Sequence, residues 1–275
     1  MTATDVLEFA PPASSPLALL PADVDIAALD LLPQPEGERP SPLDAIVISD
    51  IHLGSDNCQA KTLAPLLQSI LDGHLCTQRL IINGDVFDSI DFRRLKKTHW
   101  KILSLIRHLS DKIDVIWICG NHDGSAEIIS QLLGVEVVEQ FIFKSGEAKI
   151  LAVHGHEFDD FIDNHPVVTW LADCVYLFLQ KIDRSHRVAR LAKSRSKVFV
   201  RCVEKIERGA ISLARRNECQ IAICGHTHHA THTSAGDVHY FNSGCFTEKP
   251  ATYLSIQHGR VRIEKCELVE SPAMA

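Results

Sequence analysis

Long apolar runs, paired cysteines and early positive charge are what this sequence does without. No stretch of the 275 residues approaches the roughly 18 apolar residues that a membrane-spanning helix needs, and the nearest, Val167 to Leu179, holds Asp173. The nine cysteines are odd in number and include no Cys-x-x-Cys pair, which excludes a secreted disulfide scaffold and points to a reducing compartment. Cys119 and Cys224 lie inside apolar runs, where a reduced thiol behaves as a small hydrophobe. The first Lys or Arg is Arg39, so the basic start of a secretory signal is missing and a cytoplasmic protein is expected.

What remains is the make-up of a globular chain, 45% hydrophobic and 23% charged, long enough to bury a sizeable core. Its net charge of −7 conceals an asymmetry. Residues 181–216 carry twelve Lys or Arg against three acids, a local +9, which leaves the rest at −16. Residues 1–44 hold eight of the twelve prolines and are read as a disordered or loosely attached acidic tail. Residues 45–270 are expected to form the main domain, carrying a basic and apolar helical insertion over 160–217.

Within that domain, short apolar runs alternate with helical patterns. Ala45 to Ser49 reads as a buried strand, Ala60–Leu71 as a helix, Leu80–Ile82 as a strand and Phe92 to Leu109 as a helix. A third strand, Asp114 to Cys119, precedes a short helix over Ser125–Leu133, capped by Ser125 or Asp123. A hairpin near Ser145-Gly146 leads into a strand over Lys149 to Val153. The insertion is read as two helices, Val167–Ile182 and Val198 to Ala214. The second places Val198, Cys202, Ile206, Ala210 and Leu213 on one face and Arg201, Lys205, Arg208, Ser212 and Arg215 on another. Strands resume with the run from Ile221 to Cys224 and continue at Val238–Asn242, Thr252–Ile256 and Val261–Glu267. The rhythm is that of an α/β protein.

Polar clusters follow these strands. Asp50-x-His52, Gly84-Asp85, Gly120-Asn121-His122-Asp123, His154-Gly-His156 and Gly225-His226-Thr-His228 each come directly after an apolar run, where α/β sheets usually bind ligands. The Asp-x-His spacing alone says little, since Asp72-Gly-His74 and Asp237-Val-His239 share it at a helix end and in a hairpin. The ordered set carries the weight. Carboxylate, imidazole and amide oxygen together suit manganese, iron or zinc rather than a thiolate-bound metal. A carboxylate such as Asp85 can bridge two ions, and ions about 3.5–4 Å apart can clamp a phosphoryl oxygen during in-line attack. His229 and His232 are read as surface residues, or as residues behind the ligands, rather than as ligands themselves.

Together these five motifs resemble those of the calcineurin-like metallophosphoesterase superfamily, over roughly residues 45–256. The resemblance implies a two-layered β-sandwich flanked by helices, with two divalent ions at one end of the sheets, manganese first and iron or zinc as alternatives. It implies that Asp50, His52 and His228 bind one ion, that Asn121, His154 and His226 bind the other, and that Asp85 bridges them. His122 would stabilise charge or protonate the leaving oxygen, and Asp123 would orient it.

The sequence His154-Gly-x-Glu-Phe-Asp159, the basic insertion and Asn242-Ser-Gly-Cys245 are further similar to the UDP-2,3-diacylglucosamine diphosphatase branch of lipid A biosynthesis. That branch implies release of UMP and 2,3-diacylglucosamine 1-phosphate under a helical lid, by a protein peripheral to the inner face of the cytoplasmic membrane. His156 departs from the pattern by standing where the branch has Asp. Candidate substrate contacts are Asp88, Arg93, Arg94, His156, Lys193, Arg195, Lys197 and Arg201. A basic face beside an apolar segment suits a phosphate-bearing amphiphile at an anionic membrane surface. Nucleic acid is not expected, because no aromatic stacking platform accompanies the basic residues. The alternatives are a phosphodiesterase or phosphatase acting on another phospholipid, nucleotide or sugar nucleotide, and a non-catalytic scaffold of the same fold.

Overall fold

The structure, a computed structural model, describes residues 41–159 and 197–266. Most of the proline-rich tail, the helix expected over Val167–Ile182, and Lys193 and Arg195 lie outside the described residues. In chain order the first elements are β1 (Ala45–Ile48), α1 (Ala60–Leu71), β2 (Arg79–Asn83), α2 (Lys97–Ser110), β3 (Asp114–Ile118) and α3 (Ala126–Leu133). There follow β4 (Glu136–Val138), β5 (Gln140–Ser145), β6 (Ala148–Val153), α4 (Lys197–Arg216) and β7 (Ile221–Cys224). The chain closes with β8 (Thr231–Ala235), β9 (Val238–Asn242), β10 (Ala251–Gln257) and β11 (Arg260–Cys266).

The strands form two sheets, one in the order β11-β10-β1-β2-β3-β4 and the other β5-β6-β7-β9-β8. The expected two-layered β-sandwich flanked by helices is what the burial shows. Successive strand residues face opposite ways. Ala45, Val47, Ile81 and Ile118 of the first sheet therefore meet Ile150, Ala152, Ile221, Ile223 and Phe241 of the second in one core. Ile46, Ile48, Leu80, Ile82 and Trp117 face the other way, into a cluster with Leu63, Leu67, Ile102 and Ile106 of α1 and α2. On the far side Leu151, Val153, Ala222, Cys224 and Tyr240 pack on Ile206, Ala210, Ile211 and Ala214 of α4. Strands covered on both faces need apolar residues at successive positions, which is why β1, β7 and the Leu80–Ile82 centre of β2 are continuous apolar runs instead of alternating ones.

Pairing positions the site. β1, β2 and β3 run parallel, as do β6 and β7. The chain segments leaving β1, β2, β3, β6 and β7 carry the five motifs, and hydrogen bonds from Asp50 N–H to Gly84 O and from Gly225 N–H to His154 O tie them at one end.

One expectation needs correction, and two strands are additional to those expected. The helix read from Phe92 to Leu109 is a 3-10 turn at Phe92–Arg94, then an extended Leu95 and Lys96, and α2 only from Lys97. The cause is His99, whose Nδ1 accepts the N–H groups of both Lys96 and Gly54 and so fixes the start of α2. The short β4 and the polar β8, Thr-His-Thr-Ser-Ala, are strands that periodicity does not reveal. β8 forms because its edge position needs only the backbone pairing to β9. Among the described residues no helix is long and apolar enough to cross a membrane, and all eight described cysteines are free.

Candidate metal centre

Sharp turns at the strand ends aim the motif side chains inward. Seven described non-glycine residues have left-handed backbone, and five of them are Asp50, His52, Asp85, His226 and His228. Such conformations cost about 1–3 kcal/mol each and persist where the surroundings over-determine them. The glycines of the motifs have a further reason. A Cβ on Gly120 would meet the Asp85 backbone N and Oδ1, both at 2.3 Å, and one on Gly225 would meet Asp50 Oδ2 at 2.6 Å. At Gly84 it would lie 2.2 Å from His154 Nδ1. Each glycine makes room for a side chain from another motif.

The side chains converge in two groups, Asp50 with His52 and His228, and Asp85 with His154 and His226. In the first, His228 Nε2 lies 3.2 Å from both Asp50 Oδ1 and His52 Nε2. In the second, His154 Nε2 lies 3.4 Å from Asp85 Oδ2. That same oxygen is 3.7 Å from His52 Nε2, so one carboxylate faces both groups. Its other oxygen accepts the His122 N–H at 3.0 Å.

A divalent ion fits this donor set, and one atom tests the fit. His154 is fully buried, its Nδ1 meets Asn83 O at 2.8 Å, and its Nε2 has no hydrogen-bond partner. A buried nitrogen left bare is costly unless something electrophilic reaches it. With Nδ1–H donating to the carbonyl, Nε2 presents a lone pair toward Asp85, as a metal requires.

Protons mark the same places in the metal-free protein. Burial would lower the pKa of His154, but the charge of Asp85 outweighs it and raises it to about 9. His228 is likewise raised to about 10, burial being outweighed by Asp50. Asp50 and Asp85 are held below the usual carboxylate range, because their histidine partners overcome the cost of burial. His52, buried and beside the His228 cation, falls to about 4.

His122 stands exposed at the rim, its ring centroid 5.2 Å from that of His52. The expectation that Asp123 orients it does not match the geometry. Asp123 is buried and accepts four N–H groups, from Val86, Phe87, Gly120 and the Trp117 indole, at 2.7–3.1 Å. It braces the loops after β2 and β3. The His122 ring is held by Asp88 O, 3.1 Å from Nδ1. Ser125 takes the cap position of α3, without a side-chain hydrogen bond. Asn121 is exposed beside His122.

The remaining candidates scatter. Asp88 lies between His52 Nδ1 at 3.8 Å and Arg94 Nη1 at 2.6 Å. Arg93 pairs with Asp91 and points to solvent. His156 lies beside the centre, its ring 5.4 Å from that of His154. Its pKa is lowered by burial and then by the His154 cation. Lys197 opens α4 and Arg201 is exposed on it. His229 and His232 are exposed, and His232 stacks on Phe241.

Some participants escaped the sequence reading. Asn242 Nδ2 donates to Gly225 O, Thr247 Oγ1 lies 3.3 Å from His228 Nδ1, and Asp159 Oδ2 lies 3.3 Å from His226 Nε2. His228, Cys245 and Glu248 form a further cluster, and that threonine touches the first two. Asp159 and Asn242 fell within motifs noted for their resemblance, but nothing local tied either to a ligand.

The profile of a family described as calcineurin-like phosphoesterase matches residues 44–230. Similar solved structures include a predicted phosphoesterase from Streptococcus pneumoniae TIGR4, at 17% identity over 80% of this chain and 96% of that one, with a TM-score of 0.38. The phosphoesterase Yfce from E. coli is 14% identical over 81% and 99% of the two chains, with a TM-score of 0.42. Vps29 from Entamoeba histolytica, solved with zinc, is 17% identical over 80% and 97%, with a TM-score of 0.40. Superpositions this loose carry no argument about activity. No curated protein matches the chain.

Proposed function

We propose that this chain, which belongs to the calcineurin-like phosphoesterase family, is a metal-dependent phosphoester hydrolase whose substrate is UDP-2,3-diacylglucosamine, cleaved to UMP and 2,3-diacylglucosamine 1-phosphate. The observation that carries the hydrolase reading is Asp85 Oδ2 set between His52 Nε2 and the unpartnered His154 Nε2. Asp50, His52 and His228 would hold one divalent ion and Asn121, His154 and His226 the other, with Asp85 shared. Manganese is the proposed metal. Bound ions of this class supply Lewis-acid activation of water and of a phosphoryl oxygen.

The chain's own groups do the rest. His122, with Nδ1–H donating to Asp88 O, has Nε2 free to hold a proton for the departing oxygen. Arg94 and His52 keep Asp88 in place. The substrate reading draws support from exposed apolar side chains on the segments that flank that histidine in the chain. Ile90, 69% exposed, rests over Gly124, where a Cβ would meet its Cγ2 at 2.7 Å, and Ile128 on α3 is 57% exposed. Exposed isoleucines on the loop after β2 and on α3 suit an acylated phosphate ester better than a small water-soluble one.

The test is incubation of purified protein and Mn²⁺ with the acylated nucleotide. UMP release, abolished in Asp85→Ala, is expected. Ready cleavage of simple phosphodiesters without UMP release would overturn the substrate while leaving the hydrolase. A wild type that binds no metal and is as inactive as Asp85→Ala would instead favour the scaffold.

A further inference from the structure

We infer that Asp159 is a positioning residue for the metal centre: by holding Nε2 of His226 it makes Nδ1, not Nε2, the nitrogen that His226 offers to its metal. The inference rests on the two-metal reading above and concerns which ring atom does the binding.

Three of the four ring donors share one orientation. His154 is held at Nδ1 by Asn83 O, His228 at Nδ1 by Thr247 Oγ1 at 3.3 Å, and His52 has Asp88 Oδ1 3.8 Å from its Nδ1. Their Nε2 atoms are the ones lying 3.2–3.7 Å from Asp50, Asp85 and one another. His226 is the reverse. Its Nε2 meets Asp159 Oδ2 at 3.3 Å, with both side chains over nine-tenths buried. A carboxylate only accepts, so Nε2 must carry the hydrogen and Nδ1 the lone pair. The backbone at this residue is firmly held. His226 is left-handed, with φ 64°, and its N–H is shared between both oxygens of Asp50 at 3.1 Å.

Behind Asp159 stands α4. Asp159 ends a 3-10 turn, His156–Phe158, whose Phe158 fills the notch at Gly209, where a Cβ would lie 2.5 Å from the ring. Cys202 on the same helix lies close enough to the carboxylate for its charge, after burial, to raise the thiol pKa. A buried carboxylate braced in this way fixes ring orientation and raises the basicity of the opposite nitrogen.

Nitrogen-15 NMR of histidine-labelled protein loaded with Zn²⁺ reads the tautomer directly, with His226 assigned by its absence in His226→Gln. The expected result is a metal-shifted Nδ1 and a protonated Nε2 for His226, against metal-shifted Nε2 for His154 and His228. Asp159→Ala should lower affinity at one of the two ions by about 10–100-fold, measured by chelator competition, and give a second His226 tautomer. Asp159→Asn, whose amide oxygen still accepts from Nε2–H, should retain most of that affinity and the single tautomer. A metal-shifted Nε2 on His226 in the wild type overturns the inference and leaves the metal centre standing. Failure of the wild type to take up any Zn²⁺ overturns both. Should Asp159→Ala not fold, the wild-type tautomer and the Asn variant decide the matter.

Discussion

Replacing Gly84 by alanine would put a methyl group 2.2 Å from Nδ1 and 2.5 Å from Cγ of His154. Three costs follow. Gly84 has φ 82°, a conformation that costs an L-residue about 1–2 kcal/mol. The ring is fully buried and cannot swing into solvent, so overpacking adds about 1–3 kcal/mol. Displacing it also breaks the Nδ1–H bond to Asn83 O, worth about 0.5–1.5 kcal/mol. The expected total is about 3–6 kcal/mol, a large share of a typical domain's stability. Gly73→Ala is the control. It has φ 77° and no atom within 4 Å of the added methyl, so it should lose only the about 1–2 kcal/mol of backbone strain. For a domain of this size the difference corresponds to a Tm gap of roughly 4–15 °C, readable by calorimetry of the metal-free proteins. Metal analysis should also find less than the wild-type content in Gly84→Ala alone. Equal losses in the two variants, with equal metal content, would show that His154 does not lean on Gly84 and would refute the packing argument.

His122→Ala should lower kcat by about 10²–10⁴-fold while both ions remain bound, and loss of an ion instead would make His122 a ligand. Asp85→Asn should leave fewer than two ions per chain by elemental analysis, because the carboxylate shared by both groups is gone. In the metal-free protein, the raised pKa values of His154 and His228 stabilise the fold fully below the unfolded value of 6.5, and that contribution is lost as pH rises through about 9 and 10. Urea midpoints for the metal-free protein should therefore fall between pH 7 and 10. Metal binding, which needs the neutral rings, should tighten over the same range by roughly tenfold per unit for each proton released, and calorimetry showing no proton release would contradict this. Gly209→Ala gains about 1 kcal/mol of helix propensity yet drives a methyl into Phe158. It should weaken metal binding several-fold by chelator competition, through Asp159, with little change in Tm.

Much of the architecture could be read from the sequence because buried strands and amphipathic helices announce themselves locally. α1 falls on Ala60–Leu71 and β9 on Val238–Asn242, as periodicity predicts. Local pattern and structure part where tertiary contacts override the pattern. A continuous helical spacing from Phe92 could not reveal that His99 would take the N–H of Gly54, 45 residues away, and break the helix before Lys97. Asp123 sits beside His122 in sequence, which made it the obvious orienting group. Its carboxylate turns instead toward four N–H donors on three segments.

The sequence by itself determined which chemistry was available. Apolar runs ending in Asp, Asn, Gly and His put oxygen and imidazole metal ligands at strand ends, in the order that the family's motifs follow. Tertiary structure alone decided how those ligands are shared. Residues 50 and 226 meet because β1 and β7 lie in facing sheets, a distance no spacing in the chain encodes. The same meeting sets Asp85 between two histidine groups and gives Gly84 and Gly225 their neighbours, while the pairing of β2 with β3 brings Gly120 to Asp85 and that of β6 with β7 brings His226 to Asp159. Side-chain type is a local property, but the direction of a ring nitrogen depends on what stands behind it, and only the folded chain supplies that.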